Sequence, residues 1–171
     1  KAIERFNAYI EMLKVYDLIC FEHFDCYEKQ YSKAALLNHY GLINNNVFGN
    51  SKQLLATIIL LKHTPSVISM VEEWYDMMHL NPFLIDDTPS GFLEHPEFVE
   101  NRHDQSVFSI LAKRIHSKVL SQEEVRHEPI DWSFNAEFPF WAAKQRKYIW
   151  EWPKFRQWIF RIERYFLNFL S

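Results

Sequence analysis

The residues best suited to chemistry gather at Asn101-Arg102-His103-Asp104-Gln105-Ser106, just ahead of the apolar pair Val107-Phe108. Arg102 can clamp a phosphate or carboxylate through two parallel hydrogen bonds. His103 can donate to a phosphate oxygen or bind a divalent metal. Asp104 can accept a proton, bind a metal or orient a sugar hydroxyl. Gln105 offers a donor and an acceptor together, which suits a hydroxylated ligand. A helix starting here would add its positive dipole end for an anion. A plain structural alternative stands beside this: Asp104 is a good helix N-cap, worth about 1 kcal/mol, and Arg102 can pair with Glu97 or Glu100. On residue chemistry alone the structural alternative is the stronger.

The remaining candidates carry less. Asp86-Asp87 lies in a proline-rich stretch, where adjacent carboxylates suit a solvated turn. The eight histidines show neither HxxxH nor HExxH spacing, so no zinc site is expected and no metal ligand is assigned within the chain. Cys20 and Cys26 fit no metal or redox spacing and read as free thiols in a reducing compartment. With only three glycines and no Walker or GxGxxG pattern, any nucleotide would have to be held by side chains or metal.

The elements that must position the Arg102–Gln105 cluster follow from periodicity. Ile3, Phe6, Ile10 and Leu13 predict an amphipathic helix over 2–14, and residues 17–21 a short buried strand. Ser32 is placed to cap a helix over 33–40, with Gly41 as its left-handed stop. Residues 44–50 read as a loop. Residues 54–61, apolar and β-branched, suggest a central strand covered on both faces. Thr64-Pro65 starts a helix with Val67, Ile68, Val71, Trp74, Tyr75 and Met78 as its apolar face. Of these, Trp74 and Tyr75 could wall an acceptor site, but at helical spacing core packing is the stronger reading. Residues 81–96 are an irregular connection, a helix begins near Asp104 and buries Val107, Phe108, Ile110 and Leu111, and Lys118-Val119-Leu120 is strand-like. Trp132, Phe138, Phe140 and Trp141 read chiefly as packing residues. Strands alternating with helices give an α/β domain.

The net charge of −3 hides an asymmetry. Residues 144–171 hold seven of the 19 basic residues against two of the 22 acids, a net of +5 that leaves −8 on the rest. So acidic a body excludes nucleic-acid binding by it. No apolar run approaches the roughly 20 residues of a spanning helix. In the tail, Phe155, Trp158, Ile159, Ile162, Phe166 and Phe169 form one helical face, with Arg161 and Arg164 on another. Such a helix suits peripheral contact with an anionic membrane or packing against protein, with a slight preference for the membrane.

The stretch Asn101-Arg102-His103-Asp104-Gln105-Ser106-Val107-Phe108-Ser109-Ile110-Leu111 resembles the HDQS-F-S-L segment of a group of polysaccharide-building glycosyltransferases, known mainly from bacterial surface-polysaccharide clusters and large DNA viruses. In chain order, Glu28-Lys29-Gln30-Tyr31-Ser32-Lys33 is similar to its E-x-x-Y-[ST]-K element, and Gln53-Leu54-Leu55-Ala56-Thr57-Ile58-Ile59 to its Q-x-x-A-G-x-x strand. Glu73-Trp74 resembles its E-W helix and Pro139-Phe140-Trp141-Ala142 its P-F-W-A terminus. Thr57 stands where the family pattern tends to have glycine.

The resemblance implies the C-terminal part of a GT-A-like domain over residues 1–146, and the residue pattern adds an amphipathic helical tail over 147–171. It implies a hexosyltransferase-like enzyme taking a nucleotide-sugar donor and a glycan acceptor, with Asp104 as the catalytic or sugar-orienting carboxylate. Gln105 and His103 would contact the sugar or diphosphate, and Arg102 and Lys33 would be anion partners. Mn2+ or Mg2+ would assist from a D-x-D segment expected upstream of Lys1, and an isolated half would be inactive. The implied location is cytoplasmic, peripheral at the inner face of the membrane, with no nucleic-acid partner. The competing expectation is a non-catalytic glycan-binding or scaffold domain derived from a transferase.

Overall fold

In a computed structural model, residues 1–125 and 136–142 are described. They form a mixed α/β domain: α1 (Ala2–Val15), β1 (Leu18–Tyr27), α2 (Glu28–Tyr31), α3 (Ala34–His39), α4 (Asn46–Gly49), β2 (Lys52–Leu54), β3 (Leu60–Leu61), α5 (Pro65–Leu80), α6 (Pro82–Ile85), α7 (His103–Ala112), β4 (Ser117–Ser121) and a 3-10 turn (Gln122–Glu124). The boundary at 146, the tail over 147–171 and Trp132 lie outside the described residues.

The centre of the sheet is β1. Its Leu18–Glu22 stretch pairs in parallel with β4 along one edge, and β2 and β3 pair antiparallel with the other edge. Alternate residues point to opposite faces. Leu18 and Cys20 join a core cluster with α5 and α7, whereas Ile19 and Phe21 pack with Tyr9 of α1. The strand covered on both sides is therefore β1. The sequence had pointed instead to residues 54–61, and register gives the reason. Leu54 faces Glu22 and Leu60 faces Ile19, so six steps on one strand oppose three on the other. The surplus leaves the sheet between β2 and β3, where Thr57 is exposed.

Several local expectations hold. Thr64 caps α5 by accepting the Val67 N–H at 3.4 Å, and Pro65 occupies the first turn. Gly41, at φ 68°, ends the α3 region. Val107, Phe108, Ile110 and Leu111 are buried in α7, and β4 contains Lys118, Val119 and Leu120. Full burial of Phe108 alone contributes about 1.5–3 kcal/mol.

Others are corrected. The N-cap of α3 is Lys33, because Ser32 donates its hydroxyl to Glu28 Oε2 at 2.7 Å instead. The face of α5 is corrected in part: Val67 is buried and Trp74 and Met78 pack on the core as expected, but Met70 and Met77 join that core while Ile68, Val71 and Tyr75 are exposed. On α1 the fully inserted residue is Tyr9, with Ile3 and Ile10 outside. The packing reading of Phe138 and Phe140 holds: Phe140 stacks on Tyr9 with ring centroids 6.3 Å apart, and Phe138 is buried with the Arg5 guanidinium over its ring.

Candidate functional site

The first turn of α7 is built on a buried polar spine. Lys113, at the C-terminal end of α7, directs its ammonium to Glu28 Oε1 at 2.5 Å, Ser51 Oγ at 2.7 Å and the Lys52 carbonyl at 2.8 Å, which engages all three N–H groups. Burial lowers the Lys113 pKa, and the Glu28 carboxylate opposes that shift. Glu28 is fully buried and accepts the Ser109 hydroxyl as well as that of Ser32. Ser109 Oγ in turn accepts the Leu54 N–H at 2.8 Å.

One turn earlier on α7, Ser106 donates to the Tyr31 carbonyl at 2.7 Å and accepts the Arg102 N–H at 3.1 Å. The Gln53 amide donates to the Tyr31 carbonyl at 3.1 Å and reaches Ser106 Oγ at 3.2 Å, while its carbonyl accepts from Gln105 Nε2 at 2.8 Å. Asn101 is buried, accepting the Lys33 N–H and donating to the Ile85 carbonyl at 2.7 Å. On the other flank, Trp74 of α5 donates its indole N–H to the Asp104 carbonyl at 3.1 Å and lies against Phe108.

What this frame presents to solvent is a short rim. Helix α7 begins at His103, whose φ of 47° is left-handed. That conformation is uncommon for a residue with a Cβ and costs on the order of 1–3 kcal/mol, strain that tends to persist where a site requires it. The His103 ring nitrogen Nε2 lies 3.1 Å from Asp87 Oδ1, both groups being well exposed. Asp104 is exposed, and among the described residues its carboxylate makes no hydrogen bond or ion pair. It is not the helix cap: the N-cap is Arg102, with no side-chain cap bond. The structural explanation available from sequence thus does not apply, although an acid in the first turn still gains from the helix dipole.

Arg102 stacks its guanidinium on the Tyr31 ring, 4.2 Å from the centroid, with Glu100 3.8 Å from Nε. Its terminal nitrogens keep their donors uncommitted among the described residues. The stacked cation, together with burial as the leading cause, shifts Tyr31: burial raises the phenol pKa and Arg102 opposes the rise. Gln105 is half-buried and, with Nε2 held by Gln53, presents Oε1 as a free acceptor among the described residues.

Lys33 sits elsewhere. Its ammonium is buried and bonded to the Phe83 carbonyl at 2.6 Å, the Asp86 carbonyl at 3.2 Å, Asp86 Oδ1 at 3.1 Å and Thr88 Oγ at 3.4 Å. It braces the segment after α6. Hydrogen bonds from Thr88 and then Lys33 hold the Asp86 carboxyl below its ordinary range. The structure therefore leaves His103 and Asp104 exposed at the start of α7, lays Arg102 on Tyr31, ties Gln105 to Gln53, and sets Lys33 apart in the segment after α6. Sequence reasoning did not find Asp87 as the partner of His103, nor the Glu28–Ser109–Lys113 spine. For Asp86 a local signal existed, since Asp-x-Thr favours the turn in which Thr88 N–H donates back to Asp86 Oδ1 at 3.1 Å.

Among the described residues no group of three or more His, Cys, Asp or Glu side chains is arranged to hold a metal ion, and no helix is long and apolar enough to cross a membrane. No family model, curated protein or solved structure matches the chain.

Proposed function

We propose that this chain is the acceptor-side part of a GT-A-like glycosyltransferase that moves a sugar from a nucleotide donor to a glycan hydroxyl. One observation carries this reading. Four segments similar to the polysaccharide-building enzymes, at residues 28–33, 53–59, 73–74 and 101–111, meet at α7, and three of them bond directly around its first turn. Among the described residues, the side chains of Gln53 and Ser106 behind that turn are bonded, while the Asp104 carboxylate makes no bond, and Arg102 and Gln105 keep spare donors and a spare acceptor. A rigidly backed, uncommitted carboxylate is what proton transfer requires.

In this reading Asp104 takes the proton of the acceptor hydroxyl as that oxygen bonds to the sugar carbon, and the bond to the nucleoside diphosphate breaks with its electron pair leaving on the diphosphate. If another group takes the proton, Asp104 orients a sugar hydroxyl. Arg102 faces the departing anion, and His103 and Gln105 hold sugar hydroxyls. The Mn2+ or Mg2+ of the resemblance finds no ligand group among the described residues, so every step assigned here belongs to a side chain. A peripheral position at the inner face of an anionic membrane belongs to the same reading and rests on the sequence of the 147–171 tail alone.

Asp104→Asn in the full-length protein, assayed against a panel of nucleotide sugars with and without Mn2+, is expected to lower transfer by about 100-fold or more while costing the fold no more than about 0.3–1 kcal/mol of helix-dipole interaction. Turnover at the wild-type rate removes Asp104 from the mechanism. A second reading, a glycan-binding or scaffold module without catalysis, is favoured by the burial of Lys33, which leaves Arg102 as the rim's permanent cation. Sugar-nucleotide turnover decides between the two.

A further inference from the structure

The segment from residue 86 to 101 contains no helix or strand, yet it is fixed along its length. Lys33 ties Asp86 and Thr88, Glu94 accepts the Ala34 N–H at 2.8 Å, Glu97 pairs with Lys29 at 2.6 Å, and the Val99 N–H donates to the Gln30 carbonyl at 2.8 Å. So many anchors hold a loop in one shape and keep the space beside it open.

Two hollows border it. One, of about 590 Å³, lies between the segment and the Asn44-Asn45-Asn46 turn. The other, of about 430 Å³, lies along Pro89, Ser90 and Phe92 and reaches Asp87, the partner of His103. Glu94 lines both, so they adjoin, and Asp87 links the smaller one to His103. Each volume is that of a single small-molecule site.

The lining selects a chemical class. Asn44, Asn45, Asn46 and Asn50 all border the larger hollow and are exposed. Asn45 Oδ1 is held by the Phe48 N–H and Asn50 Nδ2 by the Asn46 carbonyl, whereas the Asn44 and Asn46 carboxamides make no hydrogen bond among the described residues. A carboxamide puts a donor and an acceptor in one plane, a match for neighbouring hydroxyls on a sugar ring. Leu93 and Phe92, 94% and 48% exposed, offer apolar surface at the rim for the C–H faces of such rings.

Charge excludes the phosphate-bearing donor from this space. Lys29 and Lys33 are the lining cations, both already paired, and they face Asp86, Asp87, Glu94 and Glu100. A surface of that sign repels anions.

We infer that the two adjoining hollows form a groove for a neutral oligosaccharide, whose successive sugars lie along residues 86–101 and end at Asp87, beside His103. This deepens the proposed transfer by naming the acceptor class and rests on that reading for the acceptor role alone.

The test is calorimetry of the full-length protein with maltotetraose, cellotetraose and chitotetraose, and with tetragalacturonate as a charged counterpart. At least one neutral tetrasaccharide is expected to bind, with the charged one at least about tenfold weaker. The Asn44→Ala/Asn46→Ala variant is expected to weaken the neutral ligand by about tenfold at an unchanged melting temperature, the loss expected for two hydrogen bonds. The inference is overturned if no neutral tetrasaccharide binds, if the charged one binds best, or if the double variant binds as wild type does. Nucleoside diphosphate release with water as acceptor separates the two claims. Binding that is sensitive to the double variant without such turnover keeps the groove and removes transfer, whereas turnover without oligosaccharide binding removes the groove alone.

Discussion

The inner and outer sides of α7 use the same kinds of residue in opposite ways. Inside, Glu28, Gln53, Ser106, Ser109 and Lys113 are buried or nearly so, and their side-chain groups are bonded to one another or to backbone. Outside, His103 and Asp104 are exposed, and among the described residues their only side-chain partner is Asp87. A polar group that is buried must be paired, because leaving it unpaired costs about 1–3 kcal/mol or more. An exposed group is under no such demand and is free to meet a ligand. Polar residue type therefore does not identify a site; the state of commitment does. The inner network also gives the outer residues what a reactive group needs, a backbone that does not move when a substrate arrives.

If that division is correct, the largest stability effects lie inside. Lys113→Met leaves the fully buried Glu28 carboxylate without its cation and is expected to cost about 3–5 kcal/mol in denaturant unfolding. Adding Glu28→Gln should return most of that loss, since removing both charges also removes the unpaired one. If Lys113→Met is neutral alone, the spine is not holding α7.

Ser106→Ala comes next. It takes the hydroxyl from the Tyr31 carbonyl and the acceptor from the Arg102 N–H, so about 1–3 kcal/mol is expected. Here the comparison sharpens, because Ser106 lies two residues from Asp104. Substituting Asp104 itself should cost no more than its helix-dipole contribution, about 0.3–1 kcal/mol. Equal losses at both positions would erase the distinction between the two sides.

Acid provides a milder probe of the loop beneath the rim. The Asp86 carboxyl is held below its ordinary value of 3.8 by Thr88 and Lys33, so the folded state favours the ionised form. Its contribution is complete above that ordinary value and is lost as the pH falls through the lower folded one. Amide exchange over residues 86–101 should therefore quicken as the pH drops below about 3.8, after correction for intrinsic rates. Asp86→Asn should show the faster exchange already at neutral pH, with the difference from wild type shrinking in acid. A difference that grows in acid would contradict the assigned cause.

The sequence made local signals readable and distant ones opaque. Thr64-Pro65, Gly41 and the run from Val107 to Leu111 each announce themselves within a few residues, and each structure followed. The stretch 54–61 misled because its apolar, β-branched composition implies burial throughout, whereas only Leu54 and Leu55 are buried and pairing depends on register against β1, some 30 residues earlier. Ser32 misled for a related reason: its hydroxyl turned to Glu28, a partner that burial made more demanding than a helix end. At the site, residue type drew attention to the Arg102–Gln105 cluster without deciding between a ligand site and a helix start. It could not show that Lys33 is enclosed by Phe83, Asp86 and Thr88, nor that Lys113 completes a charge pair with Glu28. Those facts exist only once the chain has folded.

The smallest effect on stability is expected at the one strained residue of the rim, and it separates folding from function most cleanly. His103 opens α7 at φ 47°, where a side chain is disfavoured and glycine is not. His103→Gly relieves that strain, but the greater freedom of glycine in the unfolded chain offsets much of the gain. A net change within about 1 kcal/mol in the stabilising direction is expected in denaturant unfolding. The same substitution removes the ring that meets Asp87 and loosens the turn that carries Asp104, so the proposed sugar transfer should fall even as the protein becomes no less stable. A variant that loses stability instead would mean that the His103–Asp87 contact is part of the frame, and the line between the two sides of α7 would have to be drawn further out.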